Sequence, residues 1–137
     1  MNTATQIDIA GTVSISIPIH IRVSMLIDLV NQAIEGSSIS YWVAEARNAK
    51  RSELTIDDLT HNYCYSFEIR ELEETEWHTV NTNTIAEGIT KILQGKTTLN
   101  DYIKNMIFNS ITGEDVIDDE ALDCIVQVGL FGTTVYG

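Results

Sequence analysis

The sequence predicts an α+β fold: a small antiparallel sheet, made of an N-terminal strand plus a hairpin, packed against three or four helices in one domain, residues 1–137. Three observations carry this. Apolar residues alternate with period two over residues 6–17 and again over 63–72. Between and after these stretches the apolar spacing changes to the helical three and four. Capping residues and glycines punctuate the helical stretches where helices should begin and end.

In chain order, Ile7, Ile9, Val13, Ile15 and Ile17 are β-branched and alternate with small or polar residues, which reads as a strand with a bend at Gly11. Pro18 is tolerated in a first helical turn. From Ile19 onward Val23, Leu26, Ile27, Val30, Ala33 and Ile34 share one face, with Ser24, Asp28, Asn31, Gln32 and Glu35 opposite and Gly36 beyond the end. Ile39 to Trp42 follows. The polar stretch Arg47 to Thr60 lacks either period and is expected to be mostly loop. Tyr63 to Leu72 alternates and Trp77 to Val80 can return beside it, with Glu73 to Glu76 as the turn. One face of that hairpin is expected to carry Tyr63, Tyr65, Phe67 and Ile69. Thr84 to Glu87 has capping-box spacing ahead of Ile85, Ile89, Ile92 and Leu93, with Gly95 as the stop. Thr98 can cap a third helix with Leu99, Tyr102, Ile103, Met106 and Ile107 inward. Asp118 can cap a fourth, Ile117 and Leu122 having staple spacing. Residues 124–131 are short and apolar enough to be strand instead, but the cap and the acids at its start favour helix to about Phe131.

Charge is the unusual bulk property. The chain carries 20 acids and 8 bases, net −12. Residues 61–137 hold thirteen of the acids and four of the bases. Such a surface repels nucleic acid and anionic membranes at long range and favours basic partners. No apolar stretch is long enough to span a bilayer. The first residues, Met-Asn-Thr-Ala-Thr-Gln, lack the charge and the apolar segment of a secretion signal, so a cytosolic setting is expected. Cys64 and Cys124 both sit in apolar runs, as small buried hydrophobes would.

Two acidic clusters are candidate partner-binding surfaces. One is Glu68, Glu71, Glu73, Glu74 and Glu76; the other is Glu114, Asp115, Asp118, Asp119, Glu120 and Asp123. Neither has the ligand spacing of a calcium loop, and their structural roles would be a blunted sheet edge and a favourable helix N-terminus. The scarce positive charge gathers at Arg47, Lys50 and Arg51, just after Tyr41 and Trp42. Aromatics beside arginines can stack a base and hold a phosphate; Trp42 could equally close the core under the helix end. His61 and Cys64 have zinc-like spacing without two further ligands, so no metal and no cofactor is expected. None of the nucleophile-elbow, Walker, dinucleotide or His-Glu-x-x-His motifs is present.

The helix ending at Glu35-Gly36 with its step into Tyr41-Trp42, the segment Thr84 to Ile89, and the closing Gln127 to Gly132 with Val135-Tyr136-Gly137 together resemble a family of small uncharacterised bacteriophage and prophage proteins. The resemblance implies a phage product in the cytoplasm of a bacterial host, and carries no catalytic residues with it. Small acidic phage proteins are often inhibitors of host defence, in the manner of anti-CRISPR proteins. The expected function is therefore non-catalytic binding and inhibition of a host or anti-phage defence protein with a basic surface, through nucleic-acid-like carboxylates. A sponge for a nucleotide signal at Tyr41, Trp42, Arg47, Lys50 and Arg51 is the second expectation, and a small hydrolase using His61 or His78 the third. The apolar C-terminal segment is expected to fold into the core, and it also allows a homodimer.

Overall fold

The computed structural model describes residues 10–113 and 115–137. Its elements run α1 (Val23–Glu35), β1 (Val43–Ile56), β2 (Leu59–Glu71), β3 (Trp77–Asn81), α2 (Thr82–Leu93), α3 (Asp101–Thr112) and α4 (Asp119–Phe131). The strands form one antiparallel sheet in the order β1-β2-β3. Phe67, Ile69 and Val80 point from one face of it into a core shared with Val30, Ile85, Ile89, Ile107, Leu122 and Ile125. The α+β class is as the periodicities predict.

The sheet differs from expectation at both ends. Residues 10–17, read as part of an N-terminal strand, belong to no strand; residues 6–9 lie outside the described residues. The sheet's first strand is instead β1, which occupies most of the stretch read as loop, 47–60. Its side chains are almost all exposed, so it is held by backbone bonds to β2 and shows no apolar alternation. Its turn to β2 uses Asp57 and Asp58, both at positive φ (52° and 63°), the two-residue geometry that fits the twist of a hairpin.

Bulges set which side chains face inward. Arg51 lies opposite Cys64 and Lys50 opposite Ser66, so Tyr65 is an extra residue on β2. That resets the alternation: Cys64 is buried, whereas Tyr65 is exposed and Tyr63 only half-buried, against the expected Tyr63–Tyr65–Phe67–Ile69 face. A second extra residue falls on β1 between Arg47 and Lys50, where Asn48 has φ 55°.

β3 ends opposite Ser66, which leaves the Cys64 peptide without a strand on that side. Asn31 of α1 takes the place of one. Its Nδ2 donates to the Cys64 carbonyl (2.8 Å) and its Oδ1 accepts from the Cys64 N–H (2.9 Å). Asn31 was expected on the outer face of α1; it is buried, because the amide copies the donor and acceptor of a neighbouring strand. Asn31→Leu is expected to destabilise by about 2 kcal/mol, since two buried backbone groups lose their partners. Urea unfolding measures this, and Asn31→Asp, which can accept but not donate, should fall between.

Helix starts are displaced from the predicted ones. α1 begins at Val23, not Ile19, with Arg22 as an N-cap that makes no side-chain cap bond. The β-branched run around Pro18 supplies no capping side chain, and Ile19 and Val23 are exposed rather than inward. α2 is capped by Asn81, whose side chain accepts from the Thr84 N–H (3.0 Å) while the Asn81 N–H donates to Thr84 Oγ1 (3.2 Å). Thr84 is thus the third residue of the box rather than its first. α2 ends at Leu93, and Gly95 (φ 70°) turns the chain just beyond it, with Lys96 N–H bonded to the Lys91 carbonyl and Gly95 N–H to that of Ile92. Asn100, not Thr98, caps α3, and Tyr102 points outward. Asp118 caps α4 through the Ala121 N–H (2.8 Å), Ile117 and Leu122 are both buried, and the helix runs to Phe131.

α2 and α4 touch through glycines. A Cβ on Gly88 would lie 2.1 Å from the Ile125 carbonyl oxygen, and one on Gly129 would lie 2.2 Å from that of Thr84. Backbone against backbone is what holds these two helices so close. No helix is long and apolar enough to cross a membrane among the described residues.

Candidate functional site

The turn 37–42 delivers Tyr41 and Trp42 to opposite fates. Its backbone closes on itself (Ser40 N–H to Ser37 O, Trp42 N–H to Ile39 O) and aims Trp42 inward, 1% exposed. Trp42 Nε1 donates to Asp123 Oδ1 (2.8 Å), which also accepts from Gln127 Nε2 (2.9 Å), while Tyr41 OH donates to Asp123 Oδ2 (2.5 Å). Burial and the Asp123 bond push the Tyr41 hydroxyl up to about 12. Tyr136 stacks on the indole (5.2 Å, 6° between planes) and Phe131 meets it edge-on. Gln127 Oε1 accepts from the Val135 and Tyr136 N–H groups (2.7 and 2.8 Å), fastening residues 132–137 to α4. Tyr136 OH donates to Glu71, whose other oxygen lies 3.0 Å from His78 Nε2. That bond, then burial, raises the Tyr136 hydroxyl to about 12 as well.

Three predicted site residues are therefore structural. Trp42 cannot stack a ligand, Asp123 is buried rather than on the partner surface, and Glu71 is nearly enclosed by Tyr136 and His78. The signal for Asp123 is in the sequence: Asp123 and Gln127 are polar residues four apart within the apolar run from Ala121 to Val128.

The open face of the sheet holds the next group. Arg47 lies over the Trp77 ring (3.7 Å to its centroid) and pairs with Glu68 (3.3 Å). Glu68 also accepts from the Asn48 amide, and that bond, ahead of Arg47 and Lys50, holds its carboxyl below the usual range. Arg70 reaches Glu45 (2.8 Å) and the Glu74 carbonyl (2.8 Å). Lys50 borders a shallow cleft of about 440 Å³ with Asn48, Ser66, Glu68 and Thr79. Arg51 pairs instead with Glu35 of α1 (3.4 Å). The predicted basic patch is thus divided, and the aromatic beside its arginine is Trp77, not Trp42.

The remaining carboxylates fall in two places. Glu73, Glu74 and Glu76 occupy the exposed β2–β3 turn. Asp115, Asp118, Asp119 and Glu120 are exposed at the start of α4, where Asp118 caps and Asp119 accepts from Gln32 (3.2 Å). Among the described residues none of these seven forms an ion pair. Glu114 lies outside the described residues.

Between α1 and the connection from α3 to α4 opens a cleft of about 470 Å³ bordered by Arg22, Asp28, Gln32, Asp57 and Asp115. Burial, and then the charge of Asp57, raises the Asp28 carboxyl above its ordinary value. A raised carboxylate pKa opposes folding when ionised, and that penalty disappears as pH falls through the folded-state value. Asp28→Asn should therefore stabilise by about 0.5 kcal/mol at neutral pH, the scale of a half-screened charge contact, and by nothing in acid. Melting temperature measured against pH checks it.

The histidines do not converge. His61 meets Tyr63 edge-on near the start of β2, while His78 pairs with Ile69, eight residues and about 26 Å further along that strand. Cys64 Sγ donates to the Ser66 carbonyl (3.3 Å). Cys124, raised to about 11 by burial and by Asp123, Glu120 and Asp118, stays a protonated thiol at neutral pH. No group of three or more metal-ligating side chains is assembled among the described residues.

Comparison with known proteins finds no matching family model, curated protein or solved structure.

Proposed function

We propose that this chain is a non-catalytic binder that occupies a basic surface on a host or anti-phage defence protein and blocks it. The observation that carries this reading is the set of seven exposed carboxylates, Glu73, Glu74 and Glu76 on the β2–β3 turn and Asp115, Asp118, Asp119 and Glu120 at α4, left without ion pairs among the described residues. Arg47, Arg51, Arg70 and Lys91 neutralise other acids, whereas these two places gather three unpaired carboxylates between residues 73 and 76 and four between 115 and 120. Each is set on a rigid support, a capped helix and a strand turn, so little ordering is needed on contact. The phage setting rests on the resemblance of the Glu35–Trp42 and Gln127–Gly137 segments.

The test is capture of a partner from bacterial lysate by wild type and by two charge-reversed variants, Glu73→Lys/Glu74→Lys/Glu76→Lys and Asp119→Lys/Glu120→Lys. Capture should weaken at least tenfold in a variant. It should also weaken between about 0.1 M and about 1 M salt, over which the screening length falls from about 10 Å to about 3 Å. A partner held equally by all three proteins at both salts would refute the reading.

The Arg47–Trp77 stack favours a second reading, a sponge for a planar anion such as a nucleotide on the open sheet face. A nucleotide at a hundred times its Kd would add about 2.7 kcal/mol of stability, and Trp77→Ala would abolish that gain. The absence of a thermal shift with any nucleotide would dismiss it.

A further inference from the structure

Val13, Ile15 and Ile17 are 87, 78 and 76% exposed, in an arm that alternates apolar and polar residues from Thr12 to Ile21 yet belongs to no element. Among the described residues, 12–21 make no hydrogen bond. A run of β-branched side chains with period two is built to be a strand, and its backbone has no ladder here. The same chain carries the edge such an arm lacks. Among the described residues β1 pairs only with β2, so the outward-pointing N–H and C=O groups along its fourteen residues have no ladder. Against that edge lies an apolar cleft of about 210 Å³ between the end of α1 and β1, lined by Ala33, Ile34, Ile39, Val43, Ala44 and Ala46.

We propose that two copies of this chain exchange their arms, residues 12–21 of each adding as a strand to the free β1 edge of the other, with Ile15 and Ile17 entering the cleft beside Val43 to Ala46. The arm fits within the edge: ten residues of strand span about 33 Å and β1 about 46 Å. Charge agrees as well. Residues 10–27 contain no acid in a chain of net −12, so the arm adds no carboxylate to be repelled by a second copy. Arm and receiving groove together supply about twenty residues on each side, within the range of stable interfaces, and reciprocal exchange gives the closed two-fold arrangement of most homodimers.

Sedimentation of the wild type should show a dimer at micromolar concentration. Ile15→Asp/Ile17→Asp should weaken self-association about 100-fold or more while leaving circular dichroism and urea unfolding of the monomer unchanged, because both side chains are exposed within one copy. Chains bearing Ile15→Cys mixed with chains bearing Ala46→Cys should yield a disulfide-linked heterodimer on oxidation. A wild type that stays monomeric, a dimer indifferent to the Asp pair, or cross-linking that occurs only within a chain bearing both cysteines would each overturn the proposal.

Discussion

Gly88→Ala should destabilise the protein by about 3 kcal/mol or more, although in an ordinary helix interior the same exchange gains about 1 kcal/mol. The added methyl would sit 2.1 Å from the Ile125 carbonyl oxygen, a backbone atom that cannot swing aside. Relief requires α2 and α4 to move apart, and both carry core residues: Ile85, Ile89 and Ile92 on one, Leu122, Ile125 and Val128 on the other. Overpacking costs of this kind start at about 1–3 kcal/mol and grow when backbone must shift. Gly129→Ala probes the same contact from the other helix through the Thr84 carbonyl, so the two substitutions should be less than additive when combined. Urea denaturation decides the matter; a loss below about 1 kcal/mol in both variants would mean that the helices do not approach so closely.

Asp123→Ala is expected to cost about 2–6 kcal/mol, because two buried neutral donors lose their acceptor at about 1–3 kcal/mol each. The indole of Trp42 and the amide of Gln127 both direct buried N–H groups at this carboxylate. Asp123→Asn keeps the shape but turns an N–H toward a donor, so it should recover only part of the loss. Because Gln127 also holds residues 135 and 136, the Ala variant should loosen the Tyr136–Trp42 stack and shift tryptophan emission to the red. Unchanged emission together with near wild-type stability would show that the carboxylate is dispensable.

The parts of this fold that announce themselves in sequence are those whose side chains do the packing. α1 is plain from its spacing between Leu26 and Ala33, and in α4 the Asp118 cap and the Ile117–Leu122 staple tip an apolar run that could have been strand toward helix. β1 is silent because its residues face water on both sides; backbone pairing to β2 leaves no trace in composition. The Tyr65 bulge misled in a different way, since one extra residue exchanges the two faces of a strand without changing its alternation. Of the candidate site, the exposed carboxylates of the β2–β3 turn lie where the charge run predicts. The fate of Trp42 depended on Asp123, 81 positions away, and no local pattern reports such a meeting. Trp77 gained its arginine the same way, through the pairing of Arg47 with Glu68 and of Trp77 with Arg70 across adjacent strands.

The bonds from Trp42 to Asp123 and from Gln32 to Asp119 bridge 81 and 87 residues, whereas the strands meet through short turns between successive neighbours. During synthesis the three strands can therefore find one another early, but Trp42 has no stacking partner and the Trp42–Asp123 bond cannot form until α4 has left the ribosome. A nascent chain halted before residue 119 should stay open to protease, and one released at full length should close within a single cooperative step.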